Sequence, residues 1–172
     1  MKKAPIPTND KERVCVLHGL KLLDTASEER FDRITREAIK RFGVPISTIT
    51  LVDKDREWFK SVQGMSTREG PRDISFCGHA LMSQTVLIIE DTLADPRFAD
   101  NPMVQGVPFI RFYAGKSLYD RASKLPVGVF CIKDRKPRQM SMSDVNDFFD
   151  LAQRAEDEIN KKVKNSLPWL PH

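Results

Sequence analysis

The spacing of apolar positions predicts helices toward both ends of the chain and strands between them. Residues 1–8 carry two prolines and read as a flexible N-terminal arm. With Asn9 or Asp10 as a cap, Val14, Leu17 and Leu20 line one face of a first helix. Thr25 and Glu28 have capping-box spacing, and Phe31, Ile34, Ala38 and Phe42 then recur at helical intervals until Gly43 and Pro45 stop the helix. The period changes at Ile46, where 46–53 is rich in β-branched residues and reads as a strand. Asp53 to Arg56 forms a tight turn and 57–62 returns, so the pair predicts an antiparallel hairpin. Residues 63–73 read as a polar loop, and Ser75 caps a short helix through Phe76, Ala80 and Leu81.

A continuous apolar strand follows at 86–90. Residues 91–108 then form a long crossover with three prolines. Connections beyond about 12–15 residues are uncommon unless functional or disordered, which makes this one a candidate lid. Asn101-Pro102 reads as a helix start inside it. Segments 110–119 and 126–133 predict a further strand pair. Ser143 caps a last helix with the stripe Val145, Phe148, Ala152, Ala155, Ile159 and Val163. Residues 165–172 form a tail, leaving 9–164 as a single domain of α+β class.

Composition narrows the reading. The 172 residues are 40% hydrophobic and 30% charged, a globular balance rather than a disordered one. No apolar run approaches the roughly 20 residues that span a bilayer, and Lys2-Lys3 is not followed by an apolar stretch, so a cytoplasmic location and no membrane partner are expected. The net charge of +4 is small and its signs are interspersed, which argues against a nucleic-acid partner. The densest basic run, Lys133, Arg135, Lys136 and Arg138, reads as a solvated turn. The cysteines are Cys15, Cys77 and Cys131; an odd number without a CxxC pair predicts neither a disulfide framework nor a metal site.

The sharpest chemical pair is Cys77 and His79 on the short helix. A thiolate at a helix N-terminus is stabilised by the helix dipole, which would suit a thiol enzyme; otherwise Cys77 packs as a small apolar residue. Cys15 and Cys131 are placed by their elements away from any lid and suit no resolving role. Arg111 either holds an anionic ligand in its fork or pairs with Asp91 or Asp95, and Arg72 is open to the same two readings. Trp58, Phe59, Phe76, Phe112 and Tyr113 supply aromatic surface for a pocket wall, but strand alternation puts at most one of each adjacent pair on it.

Several motifs stand together in order: Glu29-Arg30-Phe31-Asp32-Arg33-Ile34-Thr35, Phe42-Gly43-Val44-Pro45, Glu57-Trp58-Phe59-Lys60-Ser61, Ile74-Ser75-Phe76-Cys77-Gly78-His79-Ala80, Asp95-Pro96-Arg97-Phe98-Ala99-Asp100-Asn101-Pro102, Ile110-Arg111-Phe112-Tyr113-Ala114-Gly115 and Val127-Gly128-Val129-Phe130-Cys131-Ile132. In these the chain resembles the GAF domains of bacterial sensor kinases and diguanylate-cyclase-associated proteins, from about Pro7 to Lys162. The resemblance implies a central antiparallel sheet of five to six strands, the N- and C-terminal helices on one face, and a ligand pocket with lid loops on the other. It implies a small-molecule-binding regulatory module in signal transduction, a homodimer through the terminal helices, and output through a separate protein. The candidate ligand-binding residues are Trp58, Phe76, Cys77, His79, Asp91, Asp95, Arg111 and Tyr113. The alternatives are a ligand-free dimerisation module and a redox enzyme using Cys77. Phytochromes attach a bilin through Cys-His; here Cys77-Gly78-His79 is one residue wider, so no covalent bilin is expected. The cysteine arrangement of free methionine sulfoxide reductases is not matched. A cyclic nucleotide remains open, although its Asn-Lys signature is unmatched.

Overall fold

A computed structural model describes residues 1–161 of the chain. Helices α1 (Asp10–Gly19) and α2 (Glu29–Phe42) precede β1 (Ile46–Val52), β2 (Arg56–Gln63) and β3 (Glu69–Pro71). Then come α3 (Phe76–Ala80), β4 (Val86–Ile89), a 3-10 turn at Thr92–Ala94, α4 (Pro102–Gln105), β5 (Phe112–Asp120), β6 (Leu125–Asp134) and α5 (Met142–Asn160). The strands form one antiparallel six-stranded sheet in the order β3-β2-β1-β6-β5-β4.

Two apolar layers cover this sheet. On one face Leu17 of α1, Phe31, Ile34 and Ala38 of α2, and Phe148, Leu151 and Ala155 of α5 pack on Ile49, Leu51, Phe130 and Ile132. Phe148 anchors this layer, with its ring 5.0 Å from Phe130 and 6.2 Å from Phe42. Burial of each such side chain stabilises the fold by about 1.5–3 kcal/mol. On the other face Phe76, Phe98, Val104, Ile110 and Tyr113 cover Val52, Val129 and Cys131. The apolar stripes of α2 and α5 are thus turned to the sheet, and ion pairs such as Arg154–Glu37 and Arg41–Glu37 lie on their outer sides.

The α2 stripe and its Gly43 stop, the latter at φ 62°, match the apolar pattern. Several other features differ from it. The supposed capping box at Thr25 and Glu28 does not form: Glu28 is the cap position without a side-chain bond. Thr25 is taken by Lys60, a wholly buried residue of β2 whose Nζ reaches Thr25 Oγ1 at 2.7 Å, the Ala26 carbonyl at 2.8 Å and Glu28 Oε2 at 2.6 Å. On α1 the buried positions are Asp10, Arg13 and Leu17, while Val14 and Leu20 are half-buried. Strand β3 lies inside the expected polar loop, where it edges the sheet as a three-residue strand closed by Pro71. Helix α5 is capped by Ser141 rather than Ser143: Ser141 Oγ accepts from the Asp144 amide at 3.0 Å while the Asp144 carboxylate accepts from the Ser141 amide at 2.9 Å.

The N-terminal arm, expected to be flexible, is pinned. Lys2 N–H donates to the Arg97 carbonyl at 3.0 Å, Ala4 N–H donates to Asp73 at 2.9 Å, and Ala4 is buried against Gly78. The basic run is not a solvated turn throughout, since Lys133 lies on central strand β6 and is 1% exposed. Val163 and the tail 165–172 lie outside the described residues. No helix among the described residues is long and apolar enough to cross a membrane.

Candidate functional site

Strand alternation decides which side chains meet beneath the crossover. From β1 come Thr48, Thr50 and Val52, and from β6 come Val129, Cys131 and Lys133, each Thr48–Cys131 and Thr50–Val129 pair in register. Strand β5 contributes Tyr113 opposite Lys133 and Gly115 opposite Cys131. Glu57 reaches in from β2. Ser75 caps α3 by accepting from the Gly78 amide at 2.9 Å, and this sets Phe76 and Cys77 facing the sheet.

The result is a filled space rather than an open one. Phe76 stacks on Phe98 at 4.6 Å and lies 5.2 Å from Tyr113. The Tyr113 hydroxyl donates to Cys77 Sγ at 3.3 Å. It also occupies the place of a missing side chain, because a Cβ on Gly115 would come within 2.2 Å of that oxygen. Cys77 Sγ lies 3.9 Å from Cys131 Sγ, Thr48 Oγ1 lies 2.9 Å from Cys131 Sγ, and Thr48 and Thr50 share a hydrogen bond of 2.7 Å.

Two ionisable groups are buried in this polar seam. Glu57 is 2% exposed, and its Oε2 has no hydrogen-bond partner. Lys133 is 1% exposed, with its Nζ over the Phe59 ring at 5.8 Å. Burial, with the nearby Cys77 adding to it, pushes the Glu57 carboxyl up to about 8. Burial alone would lower Lys133, but Cys131, Cys77 and Glu57 outweigh it and the lysine is raised. Burial likewise raises Cys77 well above the ordinary thiol value, and the Cys131 hydrogen bond adds to that. Cys131 goes the other way: against its burial, the Cys77 hydrogen bond, the Lys133 charge and the Thr48 hydrogen bond bring it to about 7. A neutral Glu57 and a charged Lys133 both offer donors, which suits a ligand bearing acceptor or anionic groups.

Of the residues singled out from the sequence, Phe76, Cys77 and Tyr113 meet here. His79 lies at the margin, its ring 4.7 Å from Phe98 and its Nε2 3.1 Å from the Lys2 carbonyl oxygen. Trp58 does not belong to the site: it faces the helix-side layer beneath the Arg68 guanidinium, and its neighbour Phe59 takes the lid side. Arg111 pairs with Asp91 at 3.0 Å on a half-buried rim, which ties the crossover to the sheet. Asp95 is held instead by Arg97 at 2.7 Å, and Arg72 by Asp10. Asp91 and Asp95 line one surface cleft of about 420 Å³ beside β4. An activated thiolate at Cys77 is not what α3 provides, since the sulfur is completely buried and that burial pushes the thiol well above its ordinary value. Cys131, expected to be remote, is in contact with Cys77.

Glu57 and Thr48 are not among the candidate residues of the sequence, and Cys131 and Lys133 read there as remote from the lid and as part of a solvated turn. Parity along the strands carries the signal for them: with Phe130 and Ile132 in the helix-side layer, Cys131 and Lys133 must share the other face. Among the described residues no group of three or more His, Cys, Asp or Glu side chains is placed to hold a metal ion.

The family model described as GAF domain matches residues 27–159. A cyclic di-GMP phosphodiesterase of Pseudomonas aeruginosa is 40% identical over 138 residues, which covers 80% of this chain. The match spans 23% of that relative's length. Among solved structures, the GAF domain from Acinetobacter phosphoenolpyruvate-protein phosphotransferase superposes with a TM-score of 0.63 at 14% identity, covering 86% of this chain and 92% of that one. Free methionine-R-sulfoxide reductase from Neisseria meningitidis, solved with its substrate, superposes with a TM-score of 0.61 at 18% identity, covering 93% of this chain and 98% of that one.

Proposed function

The chain belongs to the GAF domain family, and from that premise we propose that it is a non-catalytic, small-molecule-binding regulatory module in signal transduction. The ligand enters between the sheet and the crossover and displaces the Tyr113 and Phe76 side chains. The observation that carries this reading is the buried Glu57 carboxyl, whose Oε2 has no hydrogen-bond partner, set beside the buried Lys133. Buried polar groups without partners are destabilising, so a protein that keeps them gains by meeting a ligand there. The hydrolysis named for the Pseudomonas relative is not assigned to this chain, which matches under a quarter of that protein. Output passes to a separate signalling partner.

A ligand-free dimerisation module has less support. The apolar stripes of α2 and α5 are occupied by the sheet, and ion pairs lie on their outer sides. A homodimer through these helices would therefore join polar surfaces, and sedimentation at micromolar concentration reads it directly.

The test is thermal denaturation in the presence of cyclic AMP, cyclic GMP, cyclic di-GMP, the free amino acids and methionine sulfoxide. Binding to the folded state raises the melting temperature by mass action. The expected result is a concentration-dependent rise with at least one of these, abolished in Lys133→Met and kept in Cys15→Ser. A rise that survives Lys133→Met would put the ligand elsewhere, and no rise with any probe would count against the reading.

A further inference from the structure

We propose that Cys77 and Cys131 are a reversible redox pair that closes to a disulfide across the lid-side core and locks α3 to β6. The pair stands on its own geometry and does not require the ligand reading above. The two sulfurs are 3.9 Å apart, both residues are fully buried, and they lie 54 positions apart in the chain. The contact is made by the fold: β6 presents Cys131 on the lid side and the Ser75 cap turns the first turn of α3 toward it. The remaining cysteine, Cys15, is exposed on α1.

The surroundings are not those of two thiols used as apolar filler. Hydroxyl groups reach both sulfurs, from Thr48 at 2.9 Å to Cys131 and from Tyr113 at 3.3 Å and Thr50 at 3.5 Å to Cys77. The Lys133 ammonium acts on both sulfurs and favours their thiolate forms. Cys131 ionises more readily than Cys77, so a thiolate at Cys131 faces a thiol at Cys77, the division of roles that disulfide formation needs.

The oxidant is a hydroperoxide, with hydrogen peroxide as the simplest case. The Cys131 thiolate attacks one peroxide oxygen, the O–O bond breaks, and the departing hydroxide takes a proton, leaving Cys131 as a sulfenic acid. Cys77 then attacks the Cys131 sulfur, the S–O bond breaks, and water leaves with the Cys77 proton. The two thiols lose two electrons and two protons, and the peroxide becomes two waters. A small dithiol reverses the change by exchange. Both sulfurs are covered, so oxidation waits on a lifting of α3 or the crossover and runs slower than oxidation of Cys15.

The experiment uses the Cys15→Ser chain, which removes intermolecular bridges. The protein is treated with hydrogen peroxide, denatured, alkylated with iodoacetamide and mapped without reduction by mass spectrometry. The expected product is one cross-linked peptide pair joining residues 77 and 131, lighter by two hydrogens, with neither cysteine alkylated. Dithiothreitol should restore alkylation at both, and the oxidised chain should melt at a higher temperature than the reduced one. Full alkylation of both cysteines after peroxide, or separate sulfinic acids without a cross-link, would overturn the proposal. Cys77→Ser and Cys131→Ser should each abolish the cross-linked pair. Should either variant fold poorly, the map of the Cys15→Ser chain still decides the matter.

Discussion

Arg72 donates Nη1 and Nη2 to the two carboxylate oxygens of Asp10, at 2.7 and 2.9 Å. Arg13 donates Nε to the same carboxylate at 2.8 Å and Nη2 to the Val52 carbonyl at 2.6 Å. One carboxylate thus joins α1 to the end of β1 and to the segment that leads into α3. Arg13 is 0% exposed and Arg72 3%, so neither guanidinium has water to replace its partner.

Asp10→Asn should therefore destabilise the fold strongly, by about 3–5 kcal/mol, because it leaves two buried cations around a neutral amide. Burial alone would raise the Asp10 carboxyl, but the bonds from Arg72 and Arg13 outweigh it and hold it below 3.8. A depressed acid contributes stability that is present above its unfolded value and is lost as pH falls through its folded value. Urea midpoints measured from neutral pH downward should fall more steeply for the wild type than for Asp10→Asn. Parallel acid limbs would refute the assignment.

Lys60 makes the second prediction. Its ammonium holds Thr25, Ala26 and Glu28, which form the entry to α2. Lys60→Met keeps the buried stem and removes these bonds. A loss of about 1.5–3 kcal/mol is expected, the range for hydrogen bonds to a charged group. Amide exchange should localise the change to residues 25–31, the first turn of α2 included. Unchanged protection there would show that the lysine only fills space.

These residues mark the boundary of what the sequence makes legible. The stripe Phe31, Ile34, Ala38 and Phe42 is local, since helical periodicity is written within one segment, and each of the four is buried. Lys133 is different. It belongs to a basic run, and its burial depends on β6 having β1 on one side and β5 on the other. The Cys77–Cys131 contact likewise depends on a register between strands and on where α3 lands, neither of which spacing along the chain records. Trp58 and Phe59 show a middle case: alternation requires them to part, but only the assembled sheet says which one faces the helices.

Gly115→Ala tests how tightly the lid-side space is filled. A Cβ there would lie 2.2 Å from the Tyr113 hydroxyl and 2.7 Å from two ring carbons, so the ring must move. Overpacking of this kind costs about 1–3 kcal/mol. Combining it with Tyr113→Leu, which removes the ring, should recover most of the loss. Chemical denaturation of the single and double variants reads this coupling, and strict additivity would mean the ring and the glycine do not interact.

The last prediction concerns Glu57, whose folded value of about 8 stands above the ordinary 4.5 because of burial. Between those values the folded chain binds more protons at this site than the unfolded chain. Stability present at low pH is therefore lost as pH rises from the unfolded value, and the loss levels off above the folded one. Cys131 acts oppositely at the upper end, because its folded value of about 7 lies below 9.0 and it adds stability as pH rises through that window. Glu57→Gln removes only the first of these slopes. The variant should be more stable than the wild type near pH 8, with the difference shrinking toward about pH 5 at no more than about 1.4 kcal/mol per pH unit. Urea midpoints at a series of pH values check this. A constant offset across the range would mean that Glu57 is ionised in the folded chain and paired with Lys133, and the buried charges would then need no ligand to satisfy them.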